Sequence, residues 1–237
     1  MSVTVREALH DLEQVDVFES LDRPALARLV QQAASRQFGP KEAIYSPGDA
    51  NDQLLFVAEG KVKVHKVSNT GREFVLGILQ AGDMFGLAHT TPSLNGNGPS
   101  EVYLTAVEAG RLYAIPRTAI EEAIRGCPEV ALRMIEALDE QLQRFEAQIE
   151  DFAFRNVPTR VARLLARLGE EHGRVSREGV TIGLRLSHQD IANMIATSRE
   201  TVSGVLGELR EQGLIRTGGK MISILDYPGL QDVASRN

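Results

Sequence analysis

A single cysteine, Cys127, serves all 237 residues, and tryptophan is absent. One thiol cannot close an intramolecular disulfide or build a thiolate-ligated zinc or iron–sulfur site within one chain. Histidine is scarce too, at five residues. His65 has Val64 and Lys66 beside it and no matching histidine on a later strand, so no metal-binding triad can be assembled around it. Ser/His/Asp, Cys/His and Walker patterns are all missing. No apolar run stands at the amino terminus, and none is long enough to cross a bilayer, so a cytoplasmic protein is expected. Positive charge is also in deficit, with 26 Lys and Arg against 32 Asp and Glu and a net of −6. From Val157 onward, however, eleven basic residues meet nine acidic ones. That part carries +2 and the remainder −8, so any nucleic acid must be held by a local patch in the last third of the chain.

What is present begins with Leu186 to Gly213, which reads as two short helices and a tight turn. Ser187 can cap the first helix, with Asp190 three residues on as the reciprocal acid of a capping box. Ile191 and Ile195 are its apolar positions, and small Ala192 allows a close helix crossing. Ser198 offers a second N-cap, and Val202, Val205, Leu206 and Leu209 share one face of the helix that follows. Arg199, Glu200, Ser203 and Gly204 lie off that face, an arrangement suited to a helix that enters a major groove end-on. The bland alternative is a generic helical hairpin. The next residues favour DNA: LIRT and KMISIL around Gly218-Gly219 form a two-stranded wing, and Lys220 beside the turn can reach a phosphate.

The chain before this motif changes period twice. A short helix over residues 5–15 precedes a second one, capped by Asp22 with Pro24 in its first turn; Leu26, Leu29 and Val30 are its buried face. Between about residues 35 and 115, runs such as LLFVAEG, KVKVHKV, EFVLGIL, VYLTAVE and RLYAI are strand-like. Gly48, Gly60, Gly71 and Gly82 punctuate them at the spacing of an antiparallel sandwich or barrel. Strict alternation over Lys61 to His65 sets His65 on a solvated face beside Lys61 and Lys63. After Pro128, Ile135, Leu138, Leu142, Phe145, Ile149 and Phe152 follow intervals of 3, 4, 3, 4 and 3. That is a heptad seam with polar flanks, and its simplest partner is a second copy of the same helix, in a parallel homodimer. Val157-Pro158 then interrupts the helix, with Val157 as the hinge, and short strands occupy residues 174–186.

This order of parts resembles the CRP/FNR superfamily of bacterial transcription factors over essentially the whole chain. GDMFG at residues 82–86 and SRETVSG at residues 198–204 carry the likeness most specifically. The resemblance implies an α+β chain in three parts: a jelly-roll-like antiparallel β-roll with N-terminal helices (1–127), a long dimerisation helix and hinge (128–156), and a winged helix-turn-helix (157–237). It also implies a two-fold dimer on promoter DNA, a regulator rather than an enzyme, with activation as the expected sign. A contact with RNA polymerase around residues 175–183 follows from the same likeness. Carried over by position, Arg199 would read a guanine and Glu200 a cytosine, while Ser198, Thr201 and Gln189 would hold phosphates, with His188 as a neighbour. The family frequently has arginine at the last position of the recognition word. Here that position is Gly204, which leaves Ser203 as the remaining reader there.

The effector pocket departs further from the family. Members that bind cyclic nucleotides carry a glutamate just after the GDxxG word and an Arg-Ser pair near the end of the following loop. The matching positions here are Leu87 and Ser100-Glu101, and the family's polar adenine contacts fall at Phe145 and Glu146. A carboxylate where a guanidinium should neutralise the cyclic phosphate repels it, so cyclic AMP is not the expected ligand. Either the roll takes another ligand or the dimer acts without one, and no cofactor is assigned. Haem is an alternative through His89, one residue from the position of a haem-sensing relative's axial histidine. A cupin-type enzyme is the alternative of another class and lacks its metal ligands. A helix-turn-helix that binds protein is the third.

Overall fold

The computed structural model describes residues 5–49, 52–86 and 102–236. It divides into two compact units, Met1–Leu142 and Gln143–Asn237. In the first, helices α1 (Val5–Glu13) and α2 (Arg23–Gln32) flank a 3-10 turn at Asp16–Phe18. Eight strands follow: β1 (Ala34–Phe38), β2 (Ala43–Tyr45), β3 (Gln53–Glu59), β4 (Val62–Val67), β5 (Glu73–Leu79), β6 (Met84–Phe85), β7 (Val102–Ala106) and β8 (Gly110–Pro116). They form two antiparallel sheets of four, ordered β1-β8-β3-β6 and β2-β7-β4-β5. α3 (Arg117–Gly126) and α4 (Glu129–Phe154) come next. Asp22 caps α2 as expected, its carboxylate accepting from the Ala25 amide at 2.8 Å.

The first sheet is covered on both faces, and this explains why LLFVAEG does not alternate cleanly. Leu54 and Phe56 of β3, with Tyr113 and Ile115 of β8, pack against the helices in a core that includes Phe18, Val130 and Met134. Val57 and Leu112 point the other way, toward Val62, Val64 and Leu104 of the second sheet. Burying such a side chain stabilises by about 1.5–3 kcal/mol, so the two-sided sheet anchors the unit. Gly48, Gly60, Gly71 and Gly82 all have positive φ, the turn role their spacing suggested. Gly60 is also sterically required, since a Cβ there would lie 2.5 Å from the Ala109 carbonyl oxygen. Strands β1, β2 and β6 escape the sequence pattern. β6 has two residues and β2 three, too short for any period to register, and β1 is exposed at all but Phe38.

His65 corrects an expectation. It does share the outer face of β4 with Lys63, but it is only 7 % exposed. Tyr103, its partner across the β4–β7 pair, stacks on the imidazole at 5.4 Å between centroids, and Thr105 bonds its Nε2 at 3.0 Å. Glu73, ion-paired to Lys63, closes the side near Nδ1. Alternation sets the face of a side chain; it does not report what the neighbouring strand lays over it.

In the second unit, the end of α4 leads through Arg155-Asn156 into α5 (Val157–His172). Asn156 caps α5 by accepting from the Thr159 amide at 3.0 Å. Val157 is therefore already helical, and the interruption lies before it rather than at it. α5 is followed by β9 (Gly173–Ser176), β10 (Gly179–Ile182), α6 (His188–Met194), α7 (Arg199–Glu211), β11 (Ile215–Gly218), β12 (Met221–Ile224) and α8 (Tyr227–Ala234). The wing is broader than two strands: β11 and β12 belong to an antiparallel sheet ordered β11-β12-β10-β9. Pairing of Gly218 with Met221 makes Gly219 and Lys220 the turn residues, at φ 57° and 68°, in place of Gly218-Gly219. Such a turn requires left-handed backbone at both central positions, so Lys220 is held at the tip. α5 crosses this sheet so tightly that a Cβ on Gly169 would meet the Ile224 side chain at 2.8 Å.

Candidate nucleic-acid interface

The helix-turn-helix is held by the caps its sequence supplies. Ser187 Oγ accepts from the Asp190 amide at 3.1 Å, and the Asp190 carboxylate accepts from the Ser187 amide at 2.8 Å. Such a cap is worth about 1 kcal/mol. Between the helices Ala196 adopts φ 52°, a left-handed residue in a tight turn that no glycine signalled. Ser198 Oγ then accepts from the Thr201 amide at 3.1 Å and starts α7. Ile191, Ala192 and Ile195 pack with Val202, Val205, Leu206 and Leu209, every one of them buried. That packing turns Ser198, Arg199, Glu200, Thr201, Ser203 and Gly204 to the surface.

Arg199 lines a groove of about 600 Å³ together with the start of α6 and the wing tip, through Ser187, His188, Gln189 and residues 217–222. The structure thus brings Arg199, His188, Gln189 and Lys220 together, although 32 positions separate the first and last of them in sequence. Arg199 and Lys220 have no ion-pair partner among the described residues. Both cations are open to an external anion. Glu200 is exposed one position further along α7.

Several of the expected contact side chains already hold hydrogen bonds within the motif. Ser203 Oγ donates to the Arg199 carbonyl at 2.9 Å and meets His188 Nδ1 at 2.7 Å. Both bonds form together only when His188 donates from Nδ1 and Ser203 donates to the backbone, the usual back-bonding of a serine one turn along a helix. Ser203 is therefore a clamp between α6 and α7, with no donor left for a base. His188, with its proton on Nδ1, presents an acceptor at Nε2. Gln189 Nε2 donates to Asn193 Oδ1 at 2.8 Å, and its second amide hydrogen points elsewhere. A Cβ on Gly204 meets nothing within 4 Å. The surface there is open but carries no side chain.

Comparison with known proteins agrees with this geometry. Residues 159–233 match a Crp-like helix-turn-helix domain, and residues 35–127 match a cyclic nucleotide-binding domain. The global nitrogen regulator of Nostoc sp. is 31% identical over 208 residues, which span 84% of this chain and 92% of that protein. The chain belongs to the CRP/FNR family. The CRP-like cAMP-activated global transcriptional regulator of Mycobacterium tuberculosis is 29% identical over 91% of this chain and 94% of its own. Among solved structures, that of a CooA mutant from Carboxydothermus hydrogenoformans superposes with a TM-score of 0.75 over 93% of this chain and 94% of its own, at 22% identity. As a CRP/FNR protein, the chain is a DNA-binding transcription regulator and not an enzyme; the cupin-type reading is set aside. Among the described residues, no helix is long and apolar enough to cross a membrane. Leu87, Ser100 and Glu101, the altered effector-pocket positions, and His89 lie outside the described residues.

Proposed function

We propose that the protein works as a homodimer that sets the two α7 helices into successive major grooves of a near-palindromic promoter site and activates transcription without cyclic AMP. The observation that carries this reading is the exposed first turn of α7, with Arg199 in the same groove as the wing tip and Glu200 beside it. Arg199 reads a guanine through its two parallel donors and Glu200 accepts from a cytosine amino group. Lys220, Ser198, Thr201 and Gln189 hold the backbone, with His188 as a neighbour of the phosphates. Ser203 keeps α6 and α7 in register rather than reading a base.

Dimerisation is supported by the face α4 leaves bare. Ile135, Leu142 and Ile149 are 61 %, 54 % and 65 % exposed, and Leu132, at 53 %, extends the stripe by a turn. Leu138 and Phe145 are half-buried between them. Phe152 is partly committed within its own chain, since the Arg160 guanidinium sits over its ring at 5.5 Å, so the seam is strongest from Ile135 to Ile149. A run of apolar side chains this exposed is stabilised by a second helix. On the β9–β10 hairpin, Val175 is 86 % exposed, which suits the contact with RNA polymerase around residues 175–183. In sequence, Glu101 puts a carboxylate in the pair that matches the phosphate-binding Arg-Ser of the family's nucleotide-binding members, and this supports independence from cyclic AMP.

Selection from random duplexes is expected to return an inverted repeat with half-sites about one helical turn, roughly 34 Å, apart. A site without two-fold symmetry would sink the dimeric reading. Operator titrations with and without cyclic AMP are expected to coincide. A gain of about tenfold, worth 1.4 kcal/mol, would overturn effector independence.

A further inference from the structure

A second cleft of about 450 Å³ lies in the C-terminal unit, and its lining shares no residue with the DNA-facing groove. α5 contributes Arg160, Arg163 and Arg167, spaced so that all three look into it. Arg163 is neutralised by Asp151 at 2.7 Å. The other lining acid, Glu170, takes the Tyr227 hydroxyl at 2.5 Å. Arg160 and Arg167 have no carboxylate partner among the described residues, and the buried Nε of Arg160 has no hydrogen-bond acceptor. Between these cations the wall is apolar, formed by buried Leu164 and Ile195. We infer that this cleft is a ligand site for a small organic anion, with its phosphate or carboxylate on Arg160 and Arg167 and its apolar body on Leu164 and Ile195.

The chemistry is that of a charge-assisted site. A planar guanidinium offers paired donors that match a phosphate or carboxylate, and stacking on Phe152 holds the Arg160 plane in place before any ligand arrives. A low-dielectric wall strengthens the attraction. The cleft also touches the DNA-reading turn. Met194 and Ile195, at the end of α6, form part of its lining, and Gln148 of α4 donates to the Met194 carbonyl at 3.2 Å. The left-handed residue Ala196 and the cap Ser198 follow directly. An occupant therefore bears on the turn that aims α7 while leaving Arg199 free, and its binding is coupled to DNA binding by the same free energy in both directions.

Calorimetry on the full-length protein, with phenyl phosphate as probe and phenol as its neutral counterpart at constant ionic strength, tests the assignment. Phenyl phosphate is expected to saturate at one per chain, with phenol about tenfold weaker or worse. Arg160→Gln and Arg167→Gln should each weaken the probe by about fivefold or more, and Arg199→Ala should bind it like the wild type. Arg167 holds no ion pair among the described residues, so its variant decides the matter even if Arg160→Gln fails to fold. Absence of saturable binding, equal binding of phenol, or an unaltered Arg167→Gln titration overturns the site. Loss of the probe in Arg199→Ala also overturns it, because the anion would then sit on the DNA face. Saturating probe is expected to shift operator affinity by about threefold or more in the wild type and not in Arg167→Gln, and an unchanged wild-type affinity refutes the coupling. The calorimetric arm needs no operator, so it stands apart from the fate of the promoter-binding reading.

Discussion

At the scale of single residues, the proposed reading surface predicts two kinds of variant, one that changes sequence preference and one that changes only charge. Arg199→Ala is expected to cost about 1–3 kcal/mol and to relax preference at one base pair. Lys220→Ala should weaken all sequences alike and lower the slope of log affinity against log salt by about 1. Quantitative binding at several salt concentrations distinguishes the two, and a uniform loss for Arg199→Ala would remove it from the groove. Gly204 makes the converse case. Its Cβ position is open and glycine inside a helix costs about 0.8–1.0 kcal/mol relative to alanine. Gly204→Arg is therefore expected to raise the melting temperature and to add a preference for guanine in each half-site, which repeating the duplex selection with the variant would reveal. The recognition word singled out Arg199 and Gly204 as candidates without coordinates. It did not show that Ser203 is engaged, because its partner His188 lies fifteen residues earlier on another helix.

At the scale of elements, the outer face of the β2-β7-β4-β5 sheet contains a buried titratable group. Burial under Tyr103 lowers the His65 pKa from its ordinary value of 6.5, with Glu73 opposing the shift and Lys63 reinforcing it. A depressed histidine binds fewer protons in the folded state than in the unfolded one, so stability rises with pH across the interval between the two values. The contribution is thus present above 6.5 and is lost as pH falls below it. Denaturant titrations of the wild type should show that acid-side loss, and His65→Gln, which keeps a group able to bond Thr105, should flatten it. An unchanged pH profile in the variant would mean that the imidazole takes up its proton equally in the folded and unfolded states. Caps and turns were the most legible features at this scale: Asp22, Ser187 and Ser198 announced helix starts because each acts on amides two or three residues away. Short strands such as β2 and β6 exist only because a neighbour supplies their hydrogen bonds.

At the scale of the whole molecule, α4 joins two functions. Its first turns pack Val130 and Met134 into the N-terminal core, its last turns meet α5 and the end of α6, and the intervening face is bare. Leu142→Glu is expected to convert a dimer to a monomer in analytical ultracentrifugation and to abolish tight operator binding, since each half-site then binds alone. The circular dichroism of each unit should persist. For the wild type, the melting temperature should rise with protein concentration, as mass action requires of a dimer. A concentration-independent melt, with the variant still binding the operator, would end the dimeric reading.

The family, the order of parts and the helix starts were determined by the sequence alone, because periodicity and capping are interactions between residues a few positions apart. Tertiary structure decided the rest. It roofed His65 with Tyr103, spent the Ser203 hydroxyl between two helices, and put Lys220 rather than Gly218 at the tip of the wing. It also gathered Arg160 and Arg167 of α5 around an apolar wall that includes Ile195 of the DNA-reading motif. These outcomes depend on which surfaces meet across long stretches of chain, and burial and partner choice arise only when distant elements pack together.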